Sequence, residues 1–366
     1  MNSKTIIFGT GTPRSGGTLI SNMLSVHKDI IITTDFIHFF RHIFNFYNPL
    51  YKKENQYKLV QELCLRVKYR KNEIFSSKEI LSNFINIKNY NDILIILSEF
   101  ILSKTENKSI FGEYANTEWR NIENFLNLEK NYKAFQVIRD PRAMLVSWKK
   151  LTYATGYKYL NILFNWIDAF NYSETYKKKF TTDKYLRIKF ENIHEDPKKM
   201  AEKLCNFIEV KFDKSMISGE KWPKLLMGKF TNVNVSSYSN KNSYGFSVDR
   251  TTNWQQHIED WEVALVQFLF KDQLKILNYK LLDIDKNLIK KALKIIEQDE
   301  ILSKNFNSFK KDGRGTDKHL NDPKNPENWA ARDTSKSISA KFSETEDYKM
   351  YLSELKKIQE ISKTIE

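Results

Sequence analysis

Cysteine is scarce in this chain of 366 residues, which contains two, Cys64 and Cys205. Both lie in segments whose apolar spacing predicts helices, and neither belongs to a Cys-x-x-Cys pair or to another metal-ligand spacing. The pattern favours a reducing compartment, in which both side chains act as small buried hydrophobes.

Long apolar runs are missing too. The first apolar run, residues 5–8, is far too short to span a bilayer and leads directly into a polar loop. We therefore predict neither a signal peptide nor a membrane span, and we expect a cytoplasmic protein. The six histidines are dispersed and form no ligand cluster, so no metal is expected.

The composition indicates a large folded core, because 41% of the residues are hydrophobic and 14% are aromatic. The formal net charge of +14 favours an anionic partner, which includes nucleic acid, a membrane surface or a polyanionic cofactor. The lysines are scattered and no nucleic-acid motif accompanies them, so we predict no specific nucleic-acid partner.

Strands alternate with helices along most of the chain. Buried strands are predicted at residues 5–8, 133–139 and 185–191, a shorter strand end at 109–112, and helices at 18–26, 118–128, 141–150, 157–179, 197–208, 254–277 and 286–306. This order predicts an α/β fold with a P-loop-type central parallel β-sheet flanked by helices.

Two segments are predicted to lie outside that sheet. A helical insertion is expected at about residues 49–108, within the domain formed by residues 1–309. Residues 310–366 are expected to form a C-terminal arm and helix, because glycines and prolines appear there among charged residues. Trp329 and Arg332 would dock the arm on the core or on a second subunit of a homodimer.

Residues 11–19 (GTPRSGGTL) connect the first strand to the first helix and have the features of a phosphate-binding loop. Gly16 and Gly17 allow the backbone to approach an anion, and the helix N-terminus faces the same point. Ser15 and Thr18 add hydroxyl donors, and Arg14 adds a forked cationic donor. No lysine follows Gly17, so the loop is not a Walker A motif, which counts against an ATPase or a kinase.

A second candidate anion site lies at the end of the strand at residues 133–139. Arg139 ends that strand, and Ser147 follows eight positions later on the next helix. Open α/β sheets bind ligands at the carboxyl ends of their strands, where both side chains are expected. The alternative is that Asp140 caps the helix and Arg139 lies on the surface.

Together these motifs resemble those of the sulfotransferase family, in the order of motifs over residues 5–280. The resemblance implies 3′-phosphoadenosine 5′-phosphosulfate (PAPS) as donor and adenosine 3′,5′-bisphosphate (PAP) as product. It implies that the loop binds the 5′-phosphosulfate and that Arg139 and Ser147 bind the 3′-phosphate. Phe190 stands where an aromatic residue lies near the adenine, and Arg250 begins a basic segment that closes over the nucleotide. The arginine in the loop resembles bacterial, carbohydrate and tyrosyl-protein members.

The chain departs from the family pattern at three places. Leu19 stands where many members have a tryptophan that stacks on the adenine. The Lys-Thr-His segment of the cytosolic members has no counterpart. Tyr114, in residues 112–116 (GEYAN), replaces a lysine of the Gly-Glu-Lys pattern.

Three residues are candidates for the base that takes the acceptor's proton. Asp35 comes first, because the resemblance places a catalytic glutamate at that spacing after the loop helix. Glu113 is second, by its place in the Gly-Glu segment, and His38 is third. Alternatively, Asp35 caps a helix and His38 packs in an aromatic pocket formed by its neighbours.

The acceptor is left open by the sequence. Residues 36–108 and 214–245 are expected to form its walls, which suit a small molecule, a carbohydrate, a phenol, a lipid headgroup or a peptide with a hydroxyl or amine. Two other functions remain as alternatives: another P-loop phosphotransferase, kinase-like, or a non-catalytic module that binds anions or nucleic acid.

Overall fold

A parallel sheet lies at the centre of the computed structural model, which describes residues 5–34, 37–71, 87–105, 107–150, 156–222 and 245–313. Its strands are β1 (Ile6–Gly11), β2 (Ile30–Thr34), β3 (Ile110–Asn116), β4 (Lys133–Ile138) and β5 (Tyr185–Lys189). Their order across the sheet is β2-β3-β1-β4-β5, and each neighbouring pair is parallel. The predicted fold class is confirmed.

The helices of the described residues precede, separate and follow these strands. In chain order they are α1 (Gly17–Ser25), α2 (Phe39–His42), α3 (Lys53–Lys71), α4 (Tyr90–Ser103), α5 (Ile122–Leu126), α6 (Pro141–Lys149), α7 (Asn161–Lys179), α8 (Phe190–Glu195), α9 (Pro197–Ile208), α10 (Asp249–Thr252), α11 (Asp260–Ile276), α12 (Lys286–Gln298) and α13 (Glu300–Asp312). Short 3-10 helices lie at Trp119–Asn121, Lys158–Leu160, Lys214–Ile217, Gly219–Lys221 and Asn253–Gln256.

The strands are apolar on both faces because helices cover both sides of the sheet. On one face, α1 and α9 bury a cluster that includes Ile7, Leu24, Ile32, Ile188 and Leu204. On the other face, α2 to α5 bury a second cluster that includes Phe8, Phe40, Leu59, Ile93 and Phe125. Helices α3 and α4 connect β2 to β3, where the helical insertion was expected.

Helix starts follow the capping residues of the sequence. Asp140 caps α6 by accepting a hydrogen bond from the backbone N–H of Arg142, and Pro141 occupies the first turn. Asp196 and Pro197 begin α9 in the same way, with Lys199 N–H as the donor. The Asp140 cap fixes where the chain turns from β4 into α6 at the carboxyl edge of the sheet, and the Asp196 cap separates α9 from α8.

Strand β3 is longer than the sequence indicated. The predicted strand end at residues 109–112 extends to Asn116, so Glu113 and Tyr114 lie inside a central strand and not in a loop. Glu113 pairs with Phe8 of β1 and Thr33 of β2. Central placement offsets the low strand propensity of the sequence GEYAN, since packing against both neighbours overrides local preference.

Two predicted helices are each divided in the structure. The predicted helix at 254–277 breaks before α11, because Glu262 accepts the N–H of Glu259 and so makes a capping box at a new helix start. The predicted helix at 286–306 breaks at Asp299, whose carboxylate caps α13. Helix α13 reaches Asp312, past the expected boundary at residue 309, and the arm from residue 314 on lies outside the described residues.

Candidate active site

The loop between β1 and α1 has a sharply turned backbone. Arg14 adopts a φ of 71° and Gly16 a φ of 104°, both in the left-handed region. The N–H of Ser15 donates to the carbonyl of Thr12 at 3.1 Å, which closes the turn. Non-glycine residues with positive φ are uncommon and are concentrated at functional sites. The φ of Arg14 therefore indicates a strained backbone and makes the loop a candidate functional site.

The two loop glycines are required by their surroundings. A Cβ on Gly16 would lie 2.3 Å from the ring of Phe190, and one on Gly17 would lie 2.0 Å from the ring of Tyr114. Within the described residues no side chain caps α1. The first turn of this helix therefore directs its N–H groups towards the loop, which is the arrangement that binds an anion. Thr18 and Leu19 are partly exposed in that turn.

Tyr114 supports the loop from below. Its side chain is fully buried on β3, and its hydroxyl lies 3.3 Å from the hydroxyl of Ser15. The ring occupies the space beneath Gly17 that a larger residue would need. The position where the family pattern has a lysine thus holds a neutral ring that packs against the loop and contacts one of its hydroxyl groups.

Arg139 lies at the centre of the second site. It is 6% exposed, and its guanidinium stacks on the ring of Phe190 at 4.2 Å. Its own carbonyl accepts a hydrogen bond from the indole of Trp166 at 2.9 Å. Arg139 is therefore buried and held on both sides, unlike the surface arginine of the alternative interpretation.

The two predicted anion sites are joined by direct contacts. Arg14 Nε donates to Ser147 Oγ at 3.0 Å, across 133 residues of sequence. Arg139 Nη1 donates to the carbonyl of Arg14 at 2.9 Å, across 125 residues. The loop and the end of β4 consequently form one basic surface at the carboxyl edge of the sheet.

A buried network fixes the end of β4 behind Arg139. The N–H of Asp140 donates to Glu191 Oε1 at 3.0 Å, and the hydroxyl of Tyr279 donates to Glu191 Oε2 at 2.8 Å. Burial raises the pKa of Glu191 and raises the pKa of Tyr279 well above its usual value. The end of β4, the start of α8 and the segment after α11 therefore meet at the carboxylate of Glu191.

Residues 245–252, called the strap here, cover this surface. Arg250 Nη1 donates to the carbonyl of Gly245 at 3.0 Å, which ties the strap to itself. Arg139 Nη2 donates to the carbonyl of Arg250 at 3.3 Å, which ties the strap to the second anion site. The structure thus brings Arg14, Ser15, Arg139, Ser147, Phe190 and Arg250 into one chain of contacts.

The carboxylate of Glu113 holds the backbone just before α2. Its Oε1 accepts hydrogen bonds from the backbone N–H groups of Ile37 and His38, at 2.6 and 2.8 Å. These contacts fix the entry to α2 over the sheet. The geometry supports a positioning role for Glu113.

His38 is paired with a residue that the sequence analysis did not consider. Its Nδ1 lies 2.9 Å from Glu118 Oε1, and the two residues are 3% and 0% exposed. Glu118 is held beside the end of β1, because its N–H donates to Thr10 Oγ1 at 3.1 Å. Its position directly after β3 is the signal that sequence reasoning could have used. Asp35 lies outside the described residues.

Two further findings concern the described residues alone. No group of three or more His, Cys, Asp or Glu side chains is placed there to hold a metal ion. Every helix there is too short or too polar to cross a membrane.

Comparison with known proteins gives one family and one fold. The model of the Sulfotransferase family matches residues 7–214, more than half of the chain. The sulfotransferase domain of the Synechococcus PCC 7002 olefin synthase is 17% identical, with a TM-score of 0.53 over 77% of this chain and 98% of that one.

Two further solved structures have lower TM-scores. The sulfotransferase domain from the curacin biosynthetic pathway is 14% identical, with a TM-score of 0.46 over 77% of this chain and 100% of that one. Retinol dehydratase in complex with androsterone and the inactive cofactor PAP is 14% identical, with a TM-score of 0.37 over 76% and 82%. No curated protein sequence matches the chain. Of these three structures, the olefin synthase domain has the TM-score above 0.5, and its likeness supports the fold alone.

Proposed function

This chain belongs to the sulfotransferase family, and on that basis we propose that it transfers the sulfuryl group of PAPS to a hydroxyl or amine of an acceptor. The observation that carries the proposal is the junction of the two anion sites, where Arg14 Nε contacts Ser147 Oγ at 3.0 Å. PAPS carries phosphate at both ends of its ribose. Two adjacent cationic sites suit such a nucleotide better than one isolated loop would.

The residues present fit a doubly phosphorylated nucleotide. Gly16 and Gly17 leave no Cβ at the loop, and the N-terminus of α1 is not capped by a described side chain. Both features suit the 5′-phosphosulfate. Arg139 and Ser147 suit the 3′-phosphate, and the ring of Phe190 between the loop and Arg139 suits the adenine. Arg250 would close the strap over the nucleotide.

The remaining loop residues complete the proposed nucleotide site. These are Arg14, Ser15, Thr18 and Leu19. When bound, PAPS supplies a sulfuryl group: the acceptor oxygen or nitrogen bonds to sulfur as the sulfur–oxygen bond to the 5′-phosphate breaks, and PAP leaves. Arg14 and the loop N–H groups stabilise charge on the sulfuryl and leaving oxygens, and the rigid loop holds them in line with the acceptor.

Transfer also requires a base that removes the proton of the acceptor, and we expect this base next to α2. We favour His38 over Glu113, because a carboxylate accepts the Nδ1 proton of His38 and so directs Nε2 to act as the proton acceptor. Asp35, the first candidate from the sequence, stays a candidate for the base. The acceptor would enter beside these residues, and the cytoplasmic location and the homodimer expected from the sequence stay predictions.

Calorimetry with competing ligands tests the proposed donor. The purified chain is titrated with PAP, with ATP and magnesium, and with a short DNA duplex. We expect PAP to bind most tightly, because it alone offers phosphates to both anion sites. Tighter binding of ATP would instead indicate a phosphotransferase, and tighter binding of DNA would indicate a nucleic-acid module.

Transfer itself is tested with radiolabelled PAPS and a panel of phenols, carbohydrates, lipid headgroups and peptides. Label should appear in at least one acceptor class and in none with an Arg14→Ala variant. A chain that binds PAP but transfers label to no acceptor, and does not release it to water, would contradict the enzymatic part of the proposal.

A further inference from the structure

A buried histidine lies next to the proposed nucleotide site and takes no part in the roles assigned so far. His194 is on α8, one turn after Phe190, and is 3% exposed. Its ring packs edge-on against Phe190 with the centroids 4.6 Å apart, and Phe246 of the strap lies at 6.2 Å. Since Arg139 stacks on Phe190 as well, His194 belongs to the same cluster as the second anion site.

The hydrogen bonds of His194 fix which ring nitrogen carries the proton. The N–H of Ser247 in the strap donates to Nδ1 at 3.0 Å, so Nδ1 has no proton. In a neutral ring the proton is then on Nε2, which becomes a donor. Nε2 is buried, and within the described part of the chain it has no hydrogen-bond partner.

The charge state of this ring follows from its surroundings. Burial, together with the smaller effect of the neighbouring Arg250 and Arg139, lowers the pKa of His194 to about 3. The ring is therefore neutral at physiological pH and keeps its Nε2–H. A buried donor without a partner is destabilising, so native proteins contain few of them and each one calls for an explanation.

We propose that His194 is a nucleotide-binding residue that donates a hydrogen bond from Nε2–H to a ring nitrogen of the purine. This inference depends on the proposed function, because it assigns a contact to the nucleotide named there. A purine offers flat aromatic faces and in-plane ring nitrogens that accept hydrogen bonds. The rings of Phe190 and Phe246 suit those faces, and a neutral N–H suits such an acceptor.

The base is a better fit than a phosphate for two reasons. In the proposed function the phosphates already have Arg14, Arg139, Ser147 and the loop N–H groups as donors. His194 contributes no charge, whereas phosphate sites gain most from charged donors. His194 also holds the strap through Ser247, so one ring connects the strap to the base.

Two substitutions separate the two functions of the ring. Asparagine in His194→Asn keeps an acceptor near Nδ1 for Ser247 but lacks the distal donor. Glutamine in His194→Gln places an amide N–H near Nε2 but lacks the proximal acceptor. By calorimetry with PAP, we expect His194→Asn to raise the Kd about fivefold, the size of one neutral hydrogen bond, while His194→Gln stays within about twofold.

A series of ligands shows which part of the nucleotide His194 contacts. The Asn penalty should persist with adenosine 5′-phosphate, which lacks the 3′-phosphate, and should vanish with an abasic ribose 3′,5′-bisphosphate. A penalty that persists with the abasic ligand would mean a phosphate contact and would overturn the assignment. Equal PAP affinity in all three proteins, or an equal loss in both variants, would overturn it as well.

A measurement on the unsubstituted protein tests the contact even if the two variants do not fold. In ¹⁵N-labelled protein, addition of PAP should shift the Nε2–H resonance of His194 and slow its exchange with water. An unchanged resonance at saturating PAP would refute the contact. If the unsubstituted protein binds no PAP at all, the proposed function is wrong. If it binds PAP normally but the resonance of His194 does not change, the proposed function stands and the assignment of His194 is wrong.

Discussion

The donor side and the base side of this site differ in how they are built. On the donor side, the loop of residues 11–19 and the end of β4 contact each other through Arg14, Ser147 and Arg139. On the base side, buried carboxylates hold His38: Glu113 accepts from its backbone and Glu118 from its ring. In the proposed function, the donor side is preorganised to meet charge, and the base side is preorganised to orient one proton acceptor.

This difference predicts a clean division of mutant effects. Changes on the donor side should weaken nucleotide binding, whereas changes on the base side should slow transfer and leave nucleotide binding intact. A variant that does both would show that the two sides are coupled through the end of β1, since Thr10, the residue before the loop, accepts a hydrogen bond from Glu118.

The largest expected effect is on the base side. We expect removal of the true base to lower kcat by about 10²–10⁴-fold, because that is the usual contribution of general base catalysis. His38→Asn, Asp35→Asn and Glu113→Gln are compared by transfer of label from PAPS, with PAP affinity measured in parallel.

The comparison of these three variants ranks the candidates. Any variant with near-normal turnover excludes its residue as the base. Glu113→Gln should also lower the melting temperature, because an amide accepts the N–H groups of Ile37 and His38 less strongly than a carboxylate does. Loss of PAP binding in the His38 variant would contradict the division between the two sides.

The next largest effect is on the donor side. Arg139→Ala should raise the Kd for PAP by about a hundredfold, since charge-assisted hydrogen bonds contribute about 1.5–3 kcal/mol each. It should reduce the preference for PAP over adenosine 5′-phosphate, because it removes the proposed 3′-phosphate contact. Calorimetry with both ligands measures the two quantities together.

A second arginine of the same sheet provides the control. Arg187 on β5 pairs with Glu174 and contacts neither anion motif in the described structure. Arg187→Ala should leave both affinities within about twofold, as expected for a partly exposed ion pair remote from the ligand. An Arg139→Ala protein that keeps its preference for the 3′-phosphate would place that phosphate elsewhere.

The donor side was more accessible to sequence reasoning than the base side for a physical reason. Phosphate binding uses local backbone: Gly16, Gly17 and the helix after them are consecutive, so the pattern is visible in one string. Arg139 and Ser147 are likewise eight residues apart on one strand–helix unit. Their meeting with Arg14 follows from the order of parallel strands, because β4 lies beside β1.

The base side depends on contacts that no local pattern shows. His38 and Glu118 are 80 residues apart, with α3, α4 and β3 between them. The predicted strand end stopped at residue 112, one residue before Glu113, whereas in the structure Glu113 lies inside β3 and pairs with both neighbouring strands. The breaks in the predicted helices at Glu259 and Asp299 were missed for a related reason. The apolar spacing continues across each break and predicts one helix, whereas the acidic side chain caps a new one.

A smaller fall in kcat is expected when the charge of Glu118 is removed. Glu118→Gln keeps the shape of the side chain but removes the charge that faces Nδ1 of His38. We expect kcat to fall about 10- to 100-fold, the size of a charge-assisted hydrogen bond, with PAP affinity unchanged. The ascending limb of kcat against pH should move to lower pH, because a proton on His38 loses its counter-charge.

That pH profile distinguishes positioning from structure. A merely structural role would lower stability and leave the shape of the profile unchanged. Asp168→Asn is a suitable comparison, since Asp168 is an equally buried carboxylate that holds Trp119 and Arg120. It should destabilise the fold without moving the limb.

The smallest expected effect lies at the contact between the central strand and the loop. Tyr114→Phe removes the hydroxyl 3.3 Å from Ser15 Oγ but keeps the ring that fills the space beneath Gly17. We expect the Kd for PAP to rise about two- to fivefold, since a neutral hydrogen bond contributes roughly 0.5–1.5 kcal/mol. The control is Tyr185→Phe, whose hydroxyl contacts Gln136 and Ser173, away from the loop, and whose PAP affinity should not change. If Tyr114→Phe binds PAP normally but Tyr114→Ala does not, the ring alone shapes the loop, and the neutral residue that replaces the lysine acts by packing and not by hydrogen bonding.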